Sequence, residues 1–235
     1  MESVKESIVI DCKSETVTSI NQMIREFAKN NIKEVIIENP LARHNLGVCI
    51  TDPIHLIYNG DVGYYAVSLC DKVTATIKGN CGWAVGENLM SGEIVVNGNA
   101  ASSCAASLRG GIVVVKGEAG ARAGISMKGG TLIIGGNTGY MTGFMMQKGK
   151  MIICGDAGKA LGDSMYDGVI YVGGKIAELG NGTKVEEVSE EEKDEIKSLL
   201  DFYQIELPPS FQKIVPNGLL HHFNKKEFRV WKEIL

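Results

Sequence analysis

The sequence is poor in several things, and each shortage closes off a class of function. Aromatic residues fill only 6% of the 235 positions, and there are five prolines and four histidines. No apolar run approaches the roughly 18 residues that a membrane-crossing helix needs. The opening stretch MESVKESIVID also has no apolar core of the kind that directs secretion. These two lacks read as a soluble, cytoplasmic protein with no membrane partner. Lysine and arginine are unclustered and the net charge is −4, so the basic footprint of a nucleic-acid binder is missing. The six cysteines (Cys12, Cys49, Cys70, Cys81, Cys104, Cys154) form no C-x-x-C pair and are expected to stay reduced.

What the chain has in excess is glycine, with 29 residues, 25 of them between Gly60 and Gly174. They are periodic. Gly60, Gly79, Gly98, Gly117, Gly136 and Gly155 are each 19 residues apart, and Gly173 comes after 18 more. Three residues after each lead glycine come Gly63, Gly82, Ala101, Gly120, Gly139 and Gly158. Seven after it come Gly86, Ala105, Gly124, Gly143 and Gly162, and thirteen after it Gly92, Gly111, Gly130, Gly149 and Gly168. Low-complexity disorder does not hold four registers at once. A nucleotide loop fails too. No G-x-G-x-x-G exists, and the Gly-Lys pairs at 149–150, 158–159 and 174–175 lie outside any G-x-x-x-x-G-K-[ST].

Between the glycines lie short β-branched runs: LIYN at 56–59, ATIK at 75–78, IVVN at 94–97, VVVK at 113–116, LIIG at 132–135, MIIC at 151–154 and VIYV at 169–172. They have strand length and are too short for helices. One coil cannot bury its own apolar face, so coils must stack and pair strand on strand. The fold expected is mainly β, a right-handed parallel β-helix (solenoid) of about 19-residue coils. Its corner glycines supply positive φ and let backbones approach. Alternation points Leu56, Ala75, Ile94, Val113, Leu132 and Met151 inward, together with the Tyr58, Ile77, Val96, Val115, Ile134, Ile153 column. A second inward ladder is Leu89, Leu108, Met127, Met146 and Met165. The column Ile57, Thr76, Val95, Val114, Ile133, Ile152 then faces outward although nearly all of it is apolar. Something should cover it, either the chain's own terminal helices or a partner protein.

The ends differ from the middle. Residues 1–50 read as a β-α-β cap and lead-in segment, with strands at 7–11 and 35–39 and a helix over 16–30. Residues 51–180 are the β-solenoid. Residues 181–235 form a helical C-terminal tail, with a capping box at Ser189 and Glu192 starting a helix to about Tyr203, and a short helix around 225–234.

Chemistry is harder to find, and no catalytic, cofactor-binding or metal-binding residue is assigned. The cysteines occupy different positions within their coils, and His44, His55, His221 and His222 are remote from them in sequence. Ser102-Ser103-Cys104 has no signalled base, and small residues there suit a tight coil. Asp156, Asp163 and Asp167 read as solvated corner carboxylates.

The G-x-x-G-x-x-x-G of Gly79/Gly82/Gly86, Gly117/Gly120/Gly124, Gly136/Gly139/Gly143 and Gly155/Gly158/Gly162 resembles a known family. It is that of the C-terminal GXGXG (β-helix) domain of the glutamate synthase large subunit. The segment IENPLARHNLGVCI at 37–50 is similar to the stretch leading into that domain, with Arg43 shortly before Gly47. The likeness covers most of 7–175; the third coil departs at Ala101 and Ala105, and the chain beyond Gly182 matches less specifically. It implies a non-catalytic structural subunit of a glutamate synthase-type complex, in glutamate biosynthesis and nitrogen assimilation. The expected partners are synthase and amidotransferase subunits, with FMN and an iron–sulfur cluster on the partner and none here. The amidotransferase's N-terminal nucleophile is absent, since residue 2 is Glu2. Similar repeats occur in one component of formylmethanofuran dehydrogenase and in one component of N-methylglutamate synthase. Two further alternatives are an independent β-helix enzyme and a protein that self-assembles through its apolar stripe into a homo-oligomer.

Overall fold

Each β-branched run does become a strand, and the strands find their partners one coil away. The structure is a computed structural model that describes residues 7–218. In chain order the elements are β1 (Ser7–Asp11), α1 (Val17–Lys29), β2 (Glu34–Glu38), β3 (Ile54–Asn59), β4 (Val73–Ile77), β5 (Gly92–Val96) and β6 (Ile112–Val115). They continue with β7 (Lys128–Ile134), β8 (Lys148–Ile153), β9 (Val169–Val172), β10 (Thr183–Glu186), α2 (Glu190–Tyr203) and β11 (Gln212–Pro216). One sheet holds all the described strands, in the order β1 to β9, then β11, then β10. From β1 to β9 the pairing is parallel, with residue partners such as Leu56 and Ala75, then Ala75 and Ile94. The architecture is a β-solenoid of about 19-residue coils.

The two inward columns and the Leu89, Leu108, Met127, Met146, Met165 ladder are buried as alternation requires. The N-terminal β-α-β unit is continuous with the sheet, because β1 pairs with β2 and β2 with β3. Thr16 caps α1, its hydroxyl accepting from the Ser19 amide at 3.1 Å. From α1 the buried Asn21 carboxamide donates to the Asn45 carbonyl and accepts from the Gly47 amide, both at 2.7 Å. A Cβ on Gly47 would lie 2.1 Å from the Tyr58 hydroxyl, at φ +70°. That explains the glycine after Arg43.

The glycine columns divide by role. Lead glycines Gly79, Gly98, Gly117, Gly136 and Gly155 do not need positive φ; they are small because the coil below is too close. A Cβ on Gly117 would sit 2.2 Å from the Asn99 Oδ1, and one on Gly155 2.5 Å from the Asn137 Oδ1. These oxygens belong to a column missed in the sequence reading: Asp61, Asn80, Asn99, Glu118, Asn137, Asp156. The Asn80 amide donates to Asp61, Asn99 to Asn80, Glu118 to Asn99, Asp156 to Asn137 and Lys175 to Asp156, all within 2.7–2.9 Å. Each of these five acceptors satisfies an amide that a bare corner would leave open, while Glu118 accepts from the Asn137 side chain at 2.8 Å. The lead column also continues at Gly174 and not at Gly173, since the Gly174 amide donates to the Gly155 carbonyl at 3.0 Å. Positive φ is found instead in the later columns, at Gly86, Gly124, Gly143 and Gly162 and at Gly92, Gly111, Gly130, Gly149 and Gly168.

The apolar outer stripe is covered by the chain itself over its C-terminal half. Ile196, Leu200 and Tyr203 of α2 pack on Val114, Ile133, Ile152 and Tyr171. Helix α2 starts with the expected capping box at Ser189 and Glu192. The chain after it differs from the helical tail that composition suggested, because 212–216 is a strand pairing antiparallel with both β9 and β10. The expected helix around 225–234 and the pair His221-His222 lie outside the described residues.

Glu192 joins this helix to the sheet. Its carboxylate accepts from Tyr171 Oη and Lys213 Nζ, both at 2.7 Å, and from the Ser189 amide at 2.8 Å. Partial burial alone would raise its pKa, but these bonds outweigh it and hold the carboxyl down to about 2. A depressed carboxyl stabilises the fold above its unfolded pKa of about 4.3, and that stability is lost as pH falls towards the folded value. Acid titration is therefore expected to loosen α2 between about pH 4.5 and 2, and Glu192→Gln to flatten that slope. Tyr171 fluorescence and α2 hydrogen exchange against pH would check it.

Candidate interaction surface

Opposite the α2-covered sheet, the coil returns through an arm in which every second residue has positive φ. Tyr65, Val67 and Leu69 do so in the first coil, Ala84, Gly86 and Asn88 in the second, and Ser103, Ala105 and Ser107 in the third. The amides at these positive-φ positions point alternately to the next coil and to the previous one. The Tyr65 amide donates forward to the Trp83 carbonyl at 2.7 Å and the Val67 amide back to Leu46 at 3.0 Å. The arm thus uses these backbone amides to stack coil on coil.

What it offers is side chains. Tyr64, Tyr65, Leu69, Trp83 and Met90 are exposed on its first two coils, with Trp83 at 54%, and Leu41 is exposed on the lead-in segment. His44, Tyr64 and Trp83 form one stack, with ring centroids 4.2 and 5.1 Å apart and planes within 14°. The His44 Nδ1 accepts from the Tyr64 amide at 2.9 Å, which fixes the first ring. In the third coil the matching positions are small. Ser103, Ala106 and Ser107, with Ala84 and Glu87 of the second coil, line a shallow hollow walled by Tyr65 and Trp83. Rigid rings beside a shallow depression are the composition of a protein-binding patch.

The other residues weighed as sites are scattered or occupied. Cys12, Cys70, Cys81 and Cys104 are buried free thiols, Cys154 is half-buried and Cys49 is exposed. Burial pushes the Cys70 thiol up to about 11 and those of Cys104 and Cys154 to about 12. Cys81 is raised for the same reason. Thiols held protonated are poor nucleophiles and poor metal ligands. Among the described residues no three His, Cys, Asp or Glu side chains are placed to hold a metal ion. Arg43 donates to the Glu15 carbonyl at 2.6 Å and so ties the lead-in segment to α1. Asp156 caps a corner, Asp163 accepts from Asn181 and Ser164, and Asp167 bonds the Gly168 amide. Ser102 and Ser103 meet no base.

One constellation was missed because its members lie one coil apart. His55 Nδ1 is 3.1 Å from Glu34 Oε2, and its Nε2 is 3.3 Å from Thr76 Oγ1. The order carboxylate, imidazole, hydroxyl matches a nucleophile relay. Thr76, however, stands mid-strand between Ile57 and Val95, where flanking amides belong to the ladder and none is free to stabilise an oxyanion. The set reads as a polar clasp across three strands. Among the described residues, no helix is long and apolar enough to cross a membrane.

Comparison with known proteins adds two findings. The family profile described as GXGXG motif matches residues 4–232, nearly the whole chain. Protein GlxC of Rhizobium meliloti (strain 1021) is 35% identical over 89 residues, which is 37% of this chain and 39% of that protein. The matched stretch thus spans well under half of that relative's length.

Proposed function

The chain belongs to the GXGXG-motif family, and from that premise we propose that it is a non-catalytic structural subunit of a glutamate synthase-type complex. It docks synthase and amidotransferase chains that carry the chemistry, FMN and the iron–sulfur cluster included, and helps to enclose the path between their sites. The observation that carries this reading is the exposed aromatic stack of His44, Tyr64 and Trp83 beside its small-residue hollow. A row of interlocked coils is stiff, so rings fixed on it are presented with little entropy left to lose on binding. The uncovered arm supports docking; the covered sheet face does not.

The test is purification of the chain from its native cells at moderate salt, with mass spectrometry of the proteins that co-elute. Recovery of a flavin- and iron–sulfur-containing synthase chain supports the proposal. Molybdenum or tungsten dehydrogenase chains would move the protein to formylmethanofuran chemistry, and a chain that elutes alone would sink the subunit reading. In the reconstituted complex, Trp83→Ala should weaken assembly by about thirtyfold, the effect of a central aromatic anchor. Its unfolding midpoint should stay unchanged, because the side chain is more than half exposed.

A further inference from the structure

Glu87 stands in the uncovered arm with no cation to answer it. The residue is half-buried, yet its carboxylate makes no ion pair and no hydrogen bond with a described residue. It lines the hollow beside Trp83 and also a second, adjoining hollow with Asn45, Leu69 and Asn88. Tyr65 lines both as well. Glu87 is the one charged residue on either lining. Arg109, Arg122 and Lys128 stand on the third and fourth coils and line neither hollow. The Lys128 ammonium donates instead to the Ser107 hydroxyl at 3.1 Å and the Ser126 carbonyl at 3.4 Å.

The ring beside this carboxylate is open on one side. Tyr64 stacks on one face of Trp83, with centroids 5.1 Å apart. Nineteen residues after Trp83 the same column holds Ser102, whose carbonyl accepts from the Ala84 amide at 3.0 Å. No ring therefore covers the other face of Trp83, and the hollow lies on that side. Ser103 and Ser126 line it, and their hydroxyls bond no described residue. An uncovered indole face, a carboxylate and hydroxyl acceptors are what a guanidinium group uses: it stacks flat, pairs its charge and donates from its remaining N–H groups.

We propose that the partner docked on this arm inserts an arginine side chain between Trp83 and Glu87. Its guanidinium lies on the open indole face and pairs with the carboxylate. The inference rests on the docking reading above and adds the chemistry of the anchor. A neutral or acidic partner surface would strip water from Glu87 and leave it unpaired, which costs far more than a rim contact returns. Lysine could meet the charge, but only the planar guanidinium both stacks on the ring and donates twice to a carboxylate.

Two measurements separate this inference from the reading beneath it. In the reconstituted complex, Glu87→Gln should weaken assembly by about tenfold or more. The unfolding midpoint of the chain should not move, because the carboxylate bonds nothing in the fold. In the full-length chain alone, the probe is Nα-acetylarginine methylamide, followed by the indole N–H resonance that Trp83→Phe removes. It should shift that resonance saturably, with its uncharged isostere Nα-acetylcitrulline methylamide about fivefold weaker or more. Glu87→Gln should erase the difference. Assembly lost in Trp83→Ala but kept in Glu87→Gln overturns the arginine anchor and leaves the docking reading standing. Arginine and citrulline probes that shift the indole equally, or not at all, overturn it too. A chain that elutes alone from its cells, yet answers the arginine probe through Glu87, would sink the docking reading and keep the cation site.

Discussion

Gly92→Ala unfolds at a far lower urea concentration than Gly182→Ala; that pair of outcomes is what the coil geometry requires. At Gly92 a Cβ would lie 2.1 Å from the Val73 carbonyl oxygen and 2.8 Å from its nitrogen, at φ +108°. Both contacts are to backbone held by coils on either side, so neither can yield. At Gly182 the φ is +77° and nothing lies within 4 Å of the added carbon. The second change isolates the conformational cost of a left-handed residue, about 1–2 kcal/mol. The first adds a collision, and a total loss of roughly 4 kcal/mol or more is expected. Urea unfolding of both variants measures the difference. Equal midpoints would mean that the coils can shift to accommodate a methyl group, and the account of the glycine columns would fail.

Leu200→Asp is the second large effect, and it should be local. Leu200 is fully buried in the cluster where α2 covers Val114, Ile133 and Ile152. Truncating such a leucine already costs about 2–5 kcal/mol, and an unpaired carboxylate there costs more. Yet the inward columns of the solenoid form a separate cluster that does not depend on this helix. The amides of α2 should therefore lose protection from hydrogen exchange by at least a few hundredfold, while those of β4 to β8 keep it. The uncovered stripe should bind an apolar dye and drive association. If β4 to β8 lose protection together with α2, the two clusters fold as one unit and the helix is no mere cover.

The repeat was legible because it is written in the rarest kind of constraint, a position where only a missing side chain fits. Four glycine columns fixed the coil length and the inward strands. The terminal strands 212–216 and 183–186 were not legible, because they pair antiparallel at the end of the stack, where no repeat imposes a column on Gln212, Lys213 or Lys184. The Asp61 to Asp156 column was visible in principle, one residue after each lead glycine, but polar residues at a corner look like ordinary solvent-facing ones until their oxygens are seen to accept the next coil's amides. The aromatic stack was hidden differently. His44, Tyr64 and Trp83 are 20 and 19 residues apart, and His44 precedes the first lead glycine, so the column emerges only once the lead-in segment is known to form a coil of its own.

The corner column has a consequence for how such a chain can change in length. Every corner oxygen but that of Glu118, which accepts from the Asn137 side chain, serves the backbone amide of the next coil at a fixed offset, and each coil touches little besides its neighbours. One residue added within a strand would turn the rest of that strand inside out between core and solvent, since side-chain direction alternates residue by residue, unless a bulge absorbs it as between Lys128 and Thr131. One whole coil, gained or lost together with its glycines and its Asx or Glu oxygen, would leave every contact of the stack of the same kind as before. Length here is counted in turns and not in residues. The exception is the stretch from β5 to β9, where α2 lies across five strands and its reach sets the number of turns beneath it.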